Sequence, residues 1–326
     1  MATSEQVKAL VRSHAERDDE RFYAIAMQVA AQAARSGHGR FSQELRILVD
    51  EVRARQPALA APPAPPLLVQ PRGELAGLLA VVYPRTRLVE MVLEDRLRRR
   101  LERVLTEQRD RERLLEHGLP PTRKILLVGP PGTGKTMTAS AIATELGLPL
   151  FTIQLDGLIT KYLGETAAKL RLVFDAIRQT RAVYFFDEFD ALGGERASKN
   201  DVGEIRRVLN SFLQFLEADS SDSLILAATN HMQLLDRALF RRFDSVVEFS
   251  LPTAEGAEQV MRAKTAFLNT TAIDWLLVRK AAEGLSHAEI SRACEQAAKN
   301  AILRHSTTLT SDEIIESLTE RKSASN

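Results

Sequence analysis

Residues 129–136 read Gly-Pro-Pro-Gly-Thr-Gly-Lys-Thr. This octet puts Gly129, Gly134, Lys135 and Thr136 on the phosphate-binding spacing G-x-x-x-x-G-K-[ST]. Glycine is needed there because backbone N–H groups must turn inward and approach phosphate oxygens with no Cβ in the way. Lys135 can then reach the β- and γ-phosphates, and the Thr136 hydroxyl can ligate Mg2+. Pro130, Pro131, Gly132 and Thr133 complete the loop, and Met137 follows it. The chemistry implied is the binding of a nucleoside triphosphate.

A second group could act on that ligand. The apolar run AVYFF (182–186) ends in Asp187 and Glu188, and a strand of this kind delivers both acids to its carboxyl end, the edge where ligands bind in open α/β sheets. Asp187 would hold Mg2+ directly or through water. Glu188 would orient and deprotonate the attacking water. A further apolar run, SLILAATN (223–230), ends in Asn230, an amide able to position water or touch the γ-phosphate without adding charge. Arg241 and Arg242 stand together in ALFRRFD (238–244). The phosphate-loop segment has no arginine of its own to neutralise charge on a transferred phosphoryl group. An arginine given by a neighbouring subunit would fill that gap.

These groups need a scaffold that brings them to one edge. KILLV (124–128) is strand-like and TMTASAIATELG (136–147) has a helical pattern, so a phosphate on the loop would meet a helix N-terminus. From Lys124 to about Leu251 strand-like and helical segments alternate, which predicts a parallel sheet wrapped by helices, an α/β fold, with the large nucleotide-binding domain over 119–251. After Pro252 the pattern predicts a small helical domain over 252–318 and a polar tail over 319–326. Residues 73–118 read as a helical segment leading into the large domain. Its basic stretch RLRRRLERV (96–104) is followed by Glu107, Asp110, Glu112 and Glu116, which points to a solvated face or subunit contact before a nucleic-acid site. Residues 1–56 have helical periodicity broken at SGHG (36–39). They predict a small helical domain, carried on a proline-rich tether over 57–72.

Composition narrows the class. A chain of 326 residues with 44% hydrophobic content can build substantial cores, and its formal charge of +1 gives no argument for a bulk nucleic-acid or membrane partner. The one cysteine, Cys294, lies in the helical pattern AEISRACEQAAKNAI and is expected to be packed, in a reducing compartment. No apolar run approaches the ~18 residues of a membrane span, so a cytoplasmic, soluble protein is expected. No H-E-x-x-H pattern suggests a built-in zinc protease.

In order and spacing, GPPGTGKT, FFDEFD, AATN and ALFRRFD resemble the AAA branch of the AAA+ ATPases, over about residues 119–303. The resemblance implies that Gly129–Thr136 form the Walker A loop and that Asp187 and Glu188 are the Walker B metal ligand and base. It further implies that Asn230 is the sensor-1 residue and that Arg241 and Arg242 are fingers acting in trans. GLSHAEI (284–290) resembles the lid stretch that packs near adenine and ribose, so His287 and Ala288 are expected at the nucleotide. His287 stands where the family usually has glycine. Lys161, Tyr162 and Leu163, in DGLITKYLGETAAKL (156–170), resemble the first pore loop of AAA protein translocases, and GERASKNDVG (194–203) could supply a second central loop. The cofactors implied are ATP and Mg2+, and the assembly a ring of identical subunits, six by family expectation. The leading function is a remodeller or unfoldase that draws protein substrates through the pore, with residues 1–56 as a platform for substrate, adaptor or companion protease. Two alternatives stay open: a regulatory partner subunit that switches a separately encoded enzyme, and a nucleic-acid-directed ATPase such as a helicase loader.

Overall fold

The computed structural model describes residues 71–158, 163–192, 202–234 and 237–325, together with residues 26, 27, 29, 30 and 43. Contacts divide the chain into two compact units, Met1–Pro65 and Pro66–Asn326. In the first, Ala26, Met27, Val29, Ala30 and Gln43 are helical, and Ala26, Val29 and Ala30 are buried. The remainder of the helical domain expected over 1–56, and the tether as far as Gln70, lie outside the described residues.

The second unit is built on one sheet of β1 (Leu79–Val82), β2 (Lys124–Val128), β3 (Leu150–Ile153), β4 (Val183–Phe186), β5 (Leu224–Thr229) and β6 (Ser245–Glu248). The strand order is β1-β3-β4-β5-β2-β6. Strands β2 to β6 run parallel, and β1 joins β3 antiparallel with Leu79 opposite Ile153. Helices α1 (Asp95–Arg109), α2 (Arg111–Glu116), α3 (Lys135–Leu146), α4 (Leu155–Leu158), α5 (Leu163–Gln179), α6 (Val202–Ala218) and α7 (Arg237–Phe240) connect and flank the strands. A sheet covered on both faces needs strands that are apolar at every position, which is why KILLV and VYFF carry no polar alternation. Leu126 and Val128 of β2 join one core with Phe174 of α5 and Phe212 and Leu216 of α6. Their neighbours Ile125 and Leu127 join the opposite core with Leu101, Val104 and Leu105 of α1 and Ile142 of α3.

Four helices follow: α8 (Ala254–Thr265), α9 (Trp275–Ala282), α10 (His287–Leu303) and α11 (Ser311–Ser325). Side-chain caps start three of them. Thr253 Oγ1 accepts from Gly256 N (3.1 Å), Asp274 Oδ1 from Leu276 N (2.9 Å), and Ser286 with Glu289 forms a capping box. Their shared core includes Met261, Val278, Ile290, Cys294, Leu309, Ile314 and Leu318. Cys294 is fully buried in α10, and burial pushes its thiol up to about 12, as suits a packed residue. No described helix is long and apolar enough to cross a membrane.

Two expectations are corrected. Within 73–118, read as helical, Leu79–Val82 is a strand: Val81 and Val82 are β-branched, Pro84 stops a helix, and β3 offers a free edge to pair with. The polar tail expected over 319–326 is helical through Ser325. Leu318 anchors α11 in the core, and no glycine or proline follows to end it.

Candidate nucleotide site

The loop from Gly129 to Gly134 joins β2 to α3, so the strand–loop–helix expected for a phosphate site is present. Its conformation demands glycine at two places. A Cβ on Gly129 would lie 2.3 Å from the Phe249 carbonyl oxygen, because Phe249 N donates to Val128 O (2.7 Å) and brings the two backbones together. Gly132 has φ +74, in the left-handed region, and a Cβ there would meet Ser286 Oγ at 2.5 Å. Ser286 and Ala288 belong to the helical domain, and Ala288 N donates to Gly132 O at 3.0 Å. The start of α10 is therefore seated on the phosphate loop, which puts His287 and Ala288 beside it.

Lys135 opens α3 and is buried. Its Nζ curls back to donate to Gly129 O (2.7 Å) and Pro130 O (2.8 Å). Burial lowers its pKa, with Asp187 and Asp190 opposing the shift. A buried ammonium whose described partners are carbonyl oxygens has charge left to offer an anion. Thr133 is buried with Oγ1 donating to Pro130 O (2.8 Å), while Pro130, Pro131, Thr136 and Met137 are exposed.

The acids come from β4. Thr136 Oγ1 donates to Asp187 Oδ2 at 2.9 Å, across 51 positions of sequence, so the two expected metal ligands share one spot. Hydroxyl and carboxylate oxygens suit a hard cation such as Mg2+, and this donor set fits the Mg2+ nucleotide expected there. Glu188 is exposed and has φ +50, a left-handed backbone that disfavours an L side chain by about 1–2 kcal/mol. Its N–H donates to Asp187 Oδ1 (3.0 Å), and strain of this kind persists where surrounding structure holds it, often at functional sites.

Asn230 follows β5, between β4 and β2 in the sheet, and its N–H donates to Asp190 Oδ1 at 3.3 Å. Asp190 was missed as a site residue, although the second acid of D-E-F-D was a signal for it. Arg241 is exposed, and Arg242 Nε lies 3.0 Å from Glu217 Oε1 at the end of α6. Lys161 and Tyr162 lie outside the described residues. Leu163 was expected in the loop with them, but it opens α5, which corrects the loop's end. Of the second central loop, 194–201 lie outside the described residues, and residues 202–203 begin α6.

A cavity of about 200 Å³ opens beside Thr133, between Val92–Leu97, Phe249–Thr253 and His287. The segment at Val92 carried no recognised motif. Its apolar residues precede α1 without helical period, and Val92 packs on the helical domain's core. The basic stretch on α1 is partly committed within the chain. Arg98 donates to Met91 O (2.8 Å), Arg100 to Ser245 Oγ (3.2 Å) and Arg103 pairs with Glu107 (2.9 Å).

Comparison with known proteins agrees with this geometry. Residues 125–251 match the family described as ATPase family associated with various cellular activities (AAA). The chain is similar to an uncharacterised AAA family ATPase, y4kL, of Sinorhizobium fredii, 37% identical over 93% of this chain and 90% of that one. It also resembles the proteasome-activating nucleotidases of Aeropyrum pernix, 33% identical over 71% of this chain, and of Sulfurisphaera tokodaii, 37% identical over 57%. The chain spans 59% and 50% of those two nucleotidases. The phosphate loop, the acids at the sheet edge and the full-length relative lead to one assignment: the chain belongs to the AAA family of ATPases.

Proposed function

We propose that this chain hydrolyses ATP with Mg2+ at the phosphate loop and, as one subunit of a ring, uses that cycle to pull polypeptide through a central pore. The observation that carries the hydrolytic half is the Thr136–Asp187 contact of 2.9 Å with Glu188 next in sequence. In this reading Gly129–Thr136 and Met137 hold the triphosphate, and Lys135 offsets its charge. Thr136 and Asp187 hold the metal. Glu188 takes a proton from water and Asn230 positions it. Arg242 would leave Glu217 to complete a neighbouring subunit's site, together with Arg241.

The protein-handling half rests on resemblance and on relatives named for activating a proteasome. Tyr162, flanked by Lys161 and Leu163, would press an aromatic ring against an extended chain whatever its sequence. Residues 1–56 would present substrates, an adaptor or a separately encoded protease. Tyr162→Ala tests this half. Basal ATPase activity should stay near wild type, while stimulation by an unfolded protein should disappear. If the variant matches wild type in every substrate assay, the translocase reading fails. Salt-sensitive stimulation by DNA or RNA would instead favour a nucleic-acid substrate.

A further inference from the structure

Arg242 is already engaged within its own subunit. Its Nε lies 3.0 Å from Glu217 Oε1, and the two side chains are 29% and 57% exposed. The backbone is held on both sides of this pair. Glu217 is the penultimate residue of α6 and follows the fully buried Leu216. Arg242 N donates to Leu239 O (3.0 Å), and Leu239 and Phe243 share one core with Leu216. The guanidinium can therefore move only by rotating its side chain, and doing so leaves a carboxylate behind. A second cation lies within electrostatic reach of that carboxylate. Lys124 opens β2 and is tied to Asp244, two positions after Arg242: Lys124 N donates to Asp244 Oδ2 and Asp244 N to Lys124 O, each at 2.9 Å. Lys124 is buried, and among the described residues its ammonium makes no hydrogen bond or ion pair. Burial and Arg123 lower its pKa, while Asp219, Asp244 and Glu217 oppose the shift, so the charge of Glu217 is felt at Lys124.

We propose that Glu217 is the positioning residue that decides when Arg242 can act in trans: it holds the guanidinium in its own subunit, and Lys124 balances its charge once Arg242 turns to a neighbour's phosphate. This rests on the reading above, in which Arg242 completes the adjacent subunit's site. Carboxylate and phosphate are both anions suited to the guanidinium fork, so they compete for it. In separate subunits the carboxylate wins and the arginine stays neutralised. At a nucleotide-loaded interface the phosphate offers more charge and takes the arginine over. The restraint is mild, because an ion pair this open to water is weak. Lys124 eases the exchange, since the acid that gives up one cation keeps another in reach.

The test is sedimentation of the full chain with Mg2+ and a non-hydrolysable ATP analogue, read as the protein concentration at half-assembly. Glu217→Gln keeps the shape and removes the charge, and it should lower that midpoint by about two- to fivefold, the scale of a partly exposed ion pair. Lys124→Met should raise the midpoint, and the rise should vanish when Glu217→Gln is added. In an Arg242→Ala background Glu217→Gln should bring no gain, a dependence that a merely structural Glu217 would not show. A midpoint unchanged or raised in Glu217→Gln overturns the proposal, as does an equal gain with Arg242→Ala present. Lys124→Met that assembles like wild type overturns the part given to Lys124. Wild-type protein that stays monomeric with the nucleotide, or Arg242→Ala that assembles like wild type, overturns the reading of Arg242 in trans itself.

Discussion

Replacing Gly132 by alanine should unseat the helical domain from the phosphate loop. An alanine Cβ would stand 2.5 Å from Ser286 Oγ and 3.1 Å from Ala288 Cβ, on a backbone with φ +74. The left-handed conformation alone disfavours alanine by about 1–2 kcal/mol. To relieve the contact, Ser286 must withdraw from its role as N-cap of α10, which is worth about 1 kcal/mol. Retreat of the helix also breaks the Ala288–Gly132 hydrogen bond, about 1 kcal/mol more. The sum is roughly 3–4 kcal/mol, and at about 2–4 °C per kcal/mol for a unit of this size Tm should fall by roughly 10 °C. Gly129→Ala should be worse, because its Cβ meets the Phe249 backbone oxygen at 2.3 Å and a strand cannot swing aside as a hydroxyl can. Scanning calorimetry of both variants, with and without ADP, measures the two losses. The reasoning is refuted if Gly132→Ala melts within about 1 °C of wild type or if Gly129→Ala is the milder change.

Three other outcomes are expected. Glu188→Asn should raise Tm by a few degrees, since asparagine tolerates the left-handed backbone, while ATP turnover falls by at least about 10²-fold; a lower Tm would mean that no strain is stored at φ +50. For Glu258, burial alone would raise the carboxyl pKa, but hydrogen bonds from Arg262 and Arg279 outweigh it and hold the value below the ordinary one. A depressed folded value means stability that is present above about pH 4.3 and lost as pH falls through the folded value, so Glu258→Gln should flatten the acid limb of the melting curve there. Parallel limbs in thermal melts of the two proteins would count against that pairing. Finally, ATPase activity per subunit should rise with concentration, and mixing Arg242→Ala with Lys135→Ala chains should recover activity at mixed interfaces; activity independent of concentration would contradict completion of the site in trans.

What the sequence made legible was chemistry carried by adjacent residues. GPPGTGKT, the acids after AVYFF and the amide after AAT are each local signals, and the parallel sheet follows from strand-like runs that lack polar alternation. Less legible were features set by distant partners. Leu79–Val82 is a strand because β3 has a free edge 71 positions away, a pairing that periodicity cannot reveal. Ser311–Ser325 extends as a helix because Ile314 and Leu318 reach a core built from α8, α9 and α10. The seating of Ala288 on Gly132, the curl of Lys135 onto carbonyls and the left-handed turn at Glu188 are also three-dimensional facts. His287 was visible beforehand as a departure from the usual glycine, and the structure adds its unpaired nitrogen.

The central claim, that one constellation binds ATP and cleaves it, is tested most directly by Glu188→Gln. Titration of Mg2+ and ATP into this variant should give wild-type affinity, because Lys135, Thr136 and Asp187 are untouched. Turnover on the same sample should fall by at least about 10²-fold, the share of a general base. Hydrolysis persisting near the wild-type rate, or affinity lost as severely as in Lys135→Ala, would contradict the account.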